Sequence, residues 1–211
     1  VVSAGDMLSF LLAWEGMGLS SYFLVVCEHD RAESRRAGLI YLIATHIGTA
    51  AIFLSFLFLV RCTGSFSFAG FDRVPVDSPA VLAAAFGFAL VGFGTKAGMF
   101  PFHIWLPYAH PEAPSPVSAL MSGVMIKMGI YGIVRFLFYL LPPLPPFFGG
   151  VVIGFGLLSG FFGVLYAIAQ HDLKRLLAFH SVENIGIILL GLGAGMLGLA
   201  YGRRDVPAIG V

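Results

Sequence analysis

The chain alternates between long, uncharged apolar stretches and short polar connections. A helix needs about 20 residues, at 1.5 Å per residue, to cross the hydrocarbon core of a bilayer. Six stretches are long enough: Met7–Val26, Ala37–Val60, Val81 to about Leu106, Pro116–Leu141, Phe147–Gln170, and His171 to about Tyr201. This pattern predicts an all-α, polytopic membrane helix bundle with about six transmembrane helices.

The third stretch contains a proline inside its apolar run. As one helix the stretch would be about 39 Å long, and Pro101 interrupts it. Proline removes a backbone hydrogen bond and kinks a helix. Broken helices at membrane depth are tolerated only where the backbone faces protein or a wet cavity. We therefore expect a broken helix near Lys96–Pro101 to line a functional site, followed by a loop at 107–115 and a new helix starting at Pro116.

Other local signals concern helix ends and helix packing. Asp6 is placed to cap the first helix, and Gly156 and Gly160 have the spacing that lets helices approach closely. The last stretch would be about 48 Å long as one helix, so we expect a short interfacial piece followed by a span. Gly193–Gly198 fits the dinucleotide fingerprint, but it lies in an apolar helix without a preceding strand, which indicates packing.

Composition strengthens the membrane assignment. Of 211 residues, 58% are hydrophobic and 11% are charged, with 12 Lys or Arg against 11 Asp or Glu and a mean hydropathy of +0.93. Soluble domains carry charge on about a quarter of their residues. These values exclude a disordered tail, a disulfide-stapled module and a basic nucleic-acid binder. Cys27 and Cys62 lie at the far ends of consecutive stretches, about 30 Å apart, so no disulfide is expected.

Three charged residues lie inside the apolar stretches: Glu15, Lys96 and Lys127. Each costs about 2.5–3.5 kcal/mol at the bilayer centre, so we expect all three to face the bundle interior or water. A desolvated lysine can lose its proton, whereas an arginine cannot. A carboxylate about 4 Å away would couple to such a lysine by about 4 kcal/mol, enough to load and unload it. The alternative is a static Glu–Lys pair that holds helices together.

The histidines offer further candidates. His103 and His110 flank the expected break, where a water-linked proton relay is plausible chemistry. For His46, alone in the second stretch, packing with a hydrogen bond is favoured over a proton role. The spacing of the His, Cys and carboxylate residues matches no metal site, and no nucleophile–base pair of an intramembrane hydrolase stands out. We therefore expect no catalytic residues, metal or cofactor.

Several motifs resemble the antiporter-like proton channel family, which includes the large membrane subunits of respiratory complex I, Mrp antiporters and membrane-bound hydrogenases. They are Trp14–Leu19, Lys96–Pro107 and Ala109–Ala119. Two more, Val124–Gly132 and His171–Gly186, most closely resemble the hydrogenase-4 component B and formate hydrogenlyase subunit 3 branch. The resemblance covers essentially the whole chain.

The resemblance assigns roles to individual residues. It implies that Glu15 is the glutamate of the family's fifth helix and Lys96 the lysine of its broken seventh helix. Lys127 is then the eighth-helix lysine that links two half-channels, and Lys174 belongs to the start of the second half-channel. Some relatives carry a histidine where this chain reads Ser181–Asn184, so no histidine role transfers there.

These residues and the resemblance together predict that residues 1–211 are part of one proton-conducting transmembrane domain, within a longer protein with further helices at both ends. Counting Lys and Arg leaves the orientation undecided; the resemblance places residues 28–36 and 170–175 on the cytoplasmic side. The expected task is proton translocation through Glu15, Lys96, Lys127 and Lys174, with His103 and His110 as intermediates.

The expected driving reaction is redox chemistry in partner subunits of a prokaryotic cytoplasmic membrane complex. The partners would be other membrane subunits and a peripheral nickel–iron hydrogenase and iron–sulfur arm. The alternatives are a complex I subunit, an Mrp Na⁺/H⁺ antiporter subunit that also moves Na⁺, or a non-conducting scaffold whose buried charges only pack helices.

Overall fold

In the computed structural model the described residues, 1–73, 79–141 and 144–202, form an all-helical bundle. Six helices in these ranges are long and apolar enough to cross a membrane, which confirms the predicted fold class. They are α1 (Met7–Val25), α2 (Ala32–Thr63), α3 (Pro79–Ala97), α5 (Ser115–Leu140), α6 (Pro146–Ile168) and α7 (Leu173–Ala200), with the short α4 (Leu106–Glu112) between α3 and α5.

Helix α1 begins, and helix α2 ends, at a recognisable cap. Asp6 caps α1 as expected: its carboxylate accepts hydrogen bonds from the Ser9 amide at 2.9 Å and the Ser9 hydroxyl at 2.7 Å. These bonds lower the pKa of Asp6. Helix α2 starts five residues before the expected Ala37, so the end of the charged connection forms its first turn. It ends at Gly64, whose φ of 67° suits glycine.

The expected break after Lys96 is present, but it begins before the proline. Helix α3 ends at Ala97, and Gly98 has a φ of 76°, a left-handed conformation that turns the chain out of the helix. The Trp105 indole then donates to the Thr95 carbonyl at 2.7 Å, which satisfies a carbonyl at the open end of α3. The Phe100–Pro101 peptide is cis. The chain is therefore interrupted over several residues rather than kinked at Pro101.

The predicted loop at 107–115 is wrong in its first part. Residues 106–112 form α4. The helix accommodates Pro107 because this residue lies in the first turn, where an amide hydrogen has no partner within the helix. Helix α5 then begins at Ser115, one residue before the expected start. It contains two π-helical segments, Met121–Met125 and Arg135–Leu140. Such segments are often found at functional sites.

Helices α6 and α7 pack closely through small residues. A Cβ atom on Gly186 of α7 would lie within 3 Å of backbone atoms of Gly156 and Gly160 in α6, which confirms the packing role of that glycine pair. The expected division of the last stretch is wrong. Asp172 caps α7 by accepting from the Arg175 amide at 2.8 Å, and one helix of about 42 Å follows that can span with tilt.

The core between α1, α2, α3 and α5 is aromatic. Phe10 stacks on Trp14 with centroids 5.5 Å apart, and both contact Phe93 of α3 edge-on. Phe56 of α2 and Phe136 of α5 complete the cluster. This apolar layer lies directly beside the end of α3 that carries Lys96. Cys27 and Cys62 are free thiols, as expected.

Candidate functional site

Lys96 is the most deeply buried charged residue in the described chain, with 2% of its surface exposed. It lies in the last turn of α3, immediately before the break. Its ammonium donates to the Tyr41 hydroxyl at 2.8 Å and lies 5.1 Å from the centre of the Tyr41 ring. Gly18 of α1 lies beside this ammonium, since a Cβ atom at that position would be 3.9 Å from Nζ. The expectation that Lys96 faces the bundle interior is confirmed.

Tyr41, which the sequence analysis did not select, links four helices at this lysine. It is fully buried in α2, and its hydroxyl lies 3.3 Å from the Gly18 carbonyl of α1 and 3.4 Å from the Met125 sulfur of α5. Its ring packs edge-on against Trp105 at 5.2 Å. A tyrosine inside an apolar span needs a partner for its hydroxyl. This requirement could have identified Tyr41 as a candidate from the sequence.

Glu15 does not pair directly with Lys96. Its carboxylate is one-third exposed (33%), and its Oε2 atom lies 3.7 Å from Nε2 of His46. In the described ranges no contact of 4.0 Å or less joins Glu15 and Lys96, so the static ion pair of the scaffold alternative is not formed. Glu15 nevertheless lies one helical turn before Gly18, whose carbonyl lies 3.3 Å from the Tyr41 hydroxyl that accepts from Lys96.

His46 keeps its expected hydrogen bond: Nδ1 lies 2.9 Å from the Leu42 carbonyl. The expected packing is wrong, because 54% of the side chain is exposed and its other nitrogen faces Glu15. A position on the outer face of α2, one turn from Leu42, explains both observations.

His103 and His110 occupy the interior beside the break. His103 is 9% exposed and stacks on Phe100 with ring centroids 5.2 Å apart. His110 of α4 is 1% exposed, and its Nδ1 lies 2.7 Å from the Ser118 hydroxyl. Among the described residues, Nδ1 of His103 and Nε2 of His110 have no hydrogen-bond partner. These two nitrogens are therefore available to exchange protons with water or another donor.

A polar cleft of about 580 Å³ lies between α4, the start of α5 and the start of α7. Its polar lining includes His110, Ser118, Ser122, Lys174, Ser181 and Asn184. The hydroxyls of Ser122 and Ser181 lie 3.2 Å apart and join α5 to α7. The fold thus brings the predicted Lys174 and His110 to one cavity, which the sequence did not reveal.

Lys174 holds the end of α4. Its ammonium donates to the Ala113 carbonyl at 2.8 Å and the Pro111 carbonyl at 3.2 Å. A cation suits the negative end of a helix, where carbonyls lack partners. Glu112 adds a second attachment through an ion pair with Arg31 of the α1–α2 connection at 3.2 Å. Helix α4 is therefore held from two sides.

Lys127, which we expect to face the bundle interior or water, is exposed at the surface of the described helices. Its ammonium donates to the Ser122 carbonyl, within the first π-helical segment, at 3.1 Å. Helix geometry gives the reason. Gly129 packs against the backbone of Ala97 and Phe93 in α3. A residue two positions earlier lies about 200° around the helix and points the opposite way.

The site therefore offers amines, imidazoles, a carboxylate and hydroxyls in and beside a broken helix. Within residues 1–73, 79–141 and 144–202 no group of three or more His, Cys, Asp or Glu could hold a metal ion. Such groups perform hydrogen bonding and proton transfer. Six spans with ionisable side chains at a helix break define a polytopic membrane protein with a polar interior.

The comparisons with known proteins agree with this class. Residues 4–201 match the NADH:quinone oxidoreductase/Mrp antiporter transmembrane family, and the chain belongs to that family. It is 48% identical over 204 residues to hydrogenase-4 component B of Escherichia coli, covering 96% of this chain and 30% of the relative.

Two further relatives extend the comparison. Formate hydrogenlyase subunit 3 of E. coli is 33% identical over 214 residues, covering 100% of this chain and 33% of the relative. NAD(P)H-quinone oxidoreductase chain 4 2 of Thermosynechococcus vestitus is 35% identical over 198 residues, covering 92% of this chain and 36% of the relative. The chain thus spans about a third of the length of these curated relatives.

Proposed function

We propose that this chain is part of a proton-translocating membrane subunit of a hydrogenase-4- or formate-hydrogenlyase-like complex in a prokaryotic cytoplasmic membrane. The observation that carries the proposal is the buried Lys96 at the helix break, bonded to the Tyr41 hydroxyl. Lysine, unlike arginine, can release its proton in such a place. The similarity to hydrogenase-4 component B and formate hydrogenlyase subunit 3 supports the choice of complex.

In the proposed path, protons enter from the cytoplasmic side through the polar cleft. Lys174 and His110 line this cleft, and the buried His103 lies in the break that follows Lys96 in the chain. Lys96 takes up the proton, and Lys127 passes it laterally to helices outside this sequence. The exposed position of Lys127 suits a handover at the surface of this part of the domain.

Glu15 sets the proton affinity of Lys96 from the neighbouring helix in this proposal. Glu15 lies one helical turn from Gly18, whose carbonyl is 3.3 Å from the Tyr41 hydroxyl that binds Lys96. Redox chemistry in partner subunits drives the cycle. The partners we propose are other membrane subunits and a peripheral nickel–iron hydrogenase and iron–sulfur arm.

A second candidate is a subunit of a quinone-reducing complex. The 35% identity to NAD(P)H-quinone oxidoreductase chain 4 2 favours it, and the matched family also includes Mrp antiporters, for which Na⁺ would be a second ion. The neighbouring genes discriminate: nickel–iron hydrogenase subunits support the first candidate, whereas a complete NADH dehydrogenase or Mrp operon supports the second.

Replacing Lys127 by Met in the full-length protein within its intact complex tests the proposal. We expect redox-driven proton movement in inverted vesicles to fall to background, because the variant removes the titratable amine at the handover. Assembly should be unchanged, since the side chain is exposed and makes one backbone hydrogen bond. Arg36→Met, which removes an exposed cation of α2, is the matched control. Wild-type proton movement in Lys127→Met would refute this role.

A non-conducting scaffold makes a different prediction for a double variant. Neutralising Glu15 and Lys96 together, as Glu15→Gln with Lys96→Met, should abolish proton movement if the proposal holds. Under the scaffold alternative, proton flux through the complex persists while the thermal stability of the complex falls.

A further inference from the structure

The proposed path gives His46 no role, although its imidazole lies within 4 Å of the Glu15 carboxylate. The two side chains face each other across the α1–α2 contact, with Nε2 of His46 and Oε2 of Glu15 3.7 Å apart. They are 54% and 33% exposed, so both lie on the outer side of the helix pair. An approach of about half an ångström would bring the two atoms within hydrogen-bond distance.

The second nitrogen of His46 decides which protons the pair can exchange. Nδ1 lies 2.9 Å from the Leu42 carbonyl, and a carbonyl oxygen only accepts hydrogen bonds. Nδ1 must therefore carry a hydrogen. This fixes the tautomer, so that Nε2 is the atom that gains and loses a proton, and it is the atom that faces Glu15.

We propose that Glu15 and His46 form a proton-sharing pair in which His46 stores the proton of Glu15. In the transfer, the O–H bond of the protonated carboxyl breaks and an N–H bond forms at Nε2. A neutral acid and a neutral imidazole become a carboxylate and an imidazolium. The net charge of the pair stays zero, so the transfer adds no net charge to the bilayer interior.

The other titratable groups on the helices packed around α2 are directed elsewhere. Lys96 of α3 donates to Tyr41, and His110 of α4 bonds Ser118. Among the described residues, Glu15 is the only carboxylate within 4.0 Å of His46. Because the Leu42 carbonyl occupies Nδ1, His46 returns its proton through Nε2. It is therefore a storage group for Glu15, rather than a relay that passes protons from one ring nitrogen to the other.

This inference rests on the proposed function, and its test has one measurement that does not require proton movement. His46→Gln keeps an amide donor near Glu15 but cannot take up a proton, whereas His46→Asn keeps only the donor toward Leu42. Both are made in the full-length protein within its complex. His29→Gln is the control, since His29 of the α1–α2 connection also faces a carboxylate, that of Asp30, at 3.6 Å.

The first measurement is isotope-edited infrared spectroscopy of the Glu15 carboxyl, identified by its loss in Glu15→Gln. We expect the pH at which the protonated carboxyl band appears to move by at least about one unit in both His46 variants and to stay unchanged in His29→Gln. The second measurement is proton movement in inverted vesicles. We expect at least about a tenfold decrease in His46→Gln, and no additional loss when His46→Gln is added to Glu15→Gln.

The outcomes separate the two proposals. An unchanged carboxyl band in both His46 variants overturns the pair. A shifted band with wild-type proton movement also overturns the inference, because the pair then takes no part in translocation. Wild-type complex that moves no protons refutes the proposed function, while the infrared measurement still decides whether the pair shares a proton.

Discussion

Lys96, the buried lysine at the helix break, is held by a different kind of partner from Lys174 and Lys127. Lys96 donates to a side-chain hydroxyl, that of Tyr41, inside a closed and largely aromatic core. Lys174 and Lys127 donate to backbone carbonyls, two for Lys174 and one for Lys127. All three residues carry the same amine, so they differ in the hydrogen-bonding capacity of the group that each one contacts.

A hydroxyl can both donate and accept, whereas a carbonyl only accepts. The Tyr41 hydroxyl accepts from a charged ammonium and can donate to the lone pair of a neutral amine. The pair therefore keeps a hydrogen bond in either protonation state. The two carbonyls at Lys174 offer nothing to a lone pair, and they lie at the negative end of α4, which favours a cation. Tyr41 can therefore remain a hydrogen-bond partner of Lys96 in both protonation states, whereas the partners of Lys174 favour a cation.

Replacing each lysine by arginine is the strongest test of the difference between Lys96 and Lys174. An arginine stays charged in a protein, so Lys96→Arg should reduce proton movement to background in vesicles containing the full complex. Lys174→Arg should keep most of it, because a guanidinium can still donate to the Pro111 and Ala113 carbonyls. Equal losses in both variants, or a loss confined to Lys174→Arg, would contradict the distinction.

Removing the hydroxyl of Tyr41 tests the same distinction with a smaller change. Hydrogen bonds to charged groups contribute about 1.5–3 kcal/mol, so Tyr41→Phe should lower the rate of proton movement about tenfold or more while the bundle still assembles. Tyr131→Phe is the matched control, since that hydroxyl bonds Val2 and Arg135 away from the lysine. A wild-type rate in Tyr41→Phe would show that Lys96 works without a partner that donates.

The apolar pattern predicted the parts of the fold that depend on burial in lipid. The six spans, the interior position of Lys96 and the close packing at Gly156 and Gly160 follow from where charge and small residues are tolerated. The break was predicted from Pro101, yet the chain leaves the helix at Gly98. A glycine inside an apolar run gives no sign that its φ is positive, so its position could not be read from the pattern.

The arrangement of the site depended on features that periodicity does not show. The π-helical segment at Met121–Met125 departs from the 3.6-residue period that relates sequence to helix face. Lys127 follows it, and the sequence pattern left open whether this lysine faces the interior or water; it is exposed. The contact of Lys174 with α4 was missed because residues 107–115 were expected to form a loop. Tyr41 and the Glu15–His46 contact required the packing of α1 against α2, which one sequence does not specify.

The smallest expected effect concerns the anchoring of α4. Lys174→Met removes two hydrogen bonds to carbonyls at the end of this helix and leaves the Glu112–Arg31 ion pair in place there. We expect the complex to lose about 2 kcal/mol of stability, with a loss of proton movement smaller than in Tyr41→Phe, because His110 keeps its bond to Ser118. The first effect is measured by heating the complex and recording the fraction that stays assembled in detergent. Arg175→Met, at the exposed neighbouring position, is the control. If Lys174→Met instead abolished proton movement without lowering stability, Lys174 would exchange protons itself. The proposed difference between Lys96 and Lys174 would then be wrong.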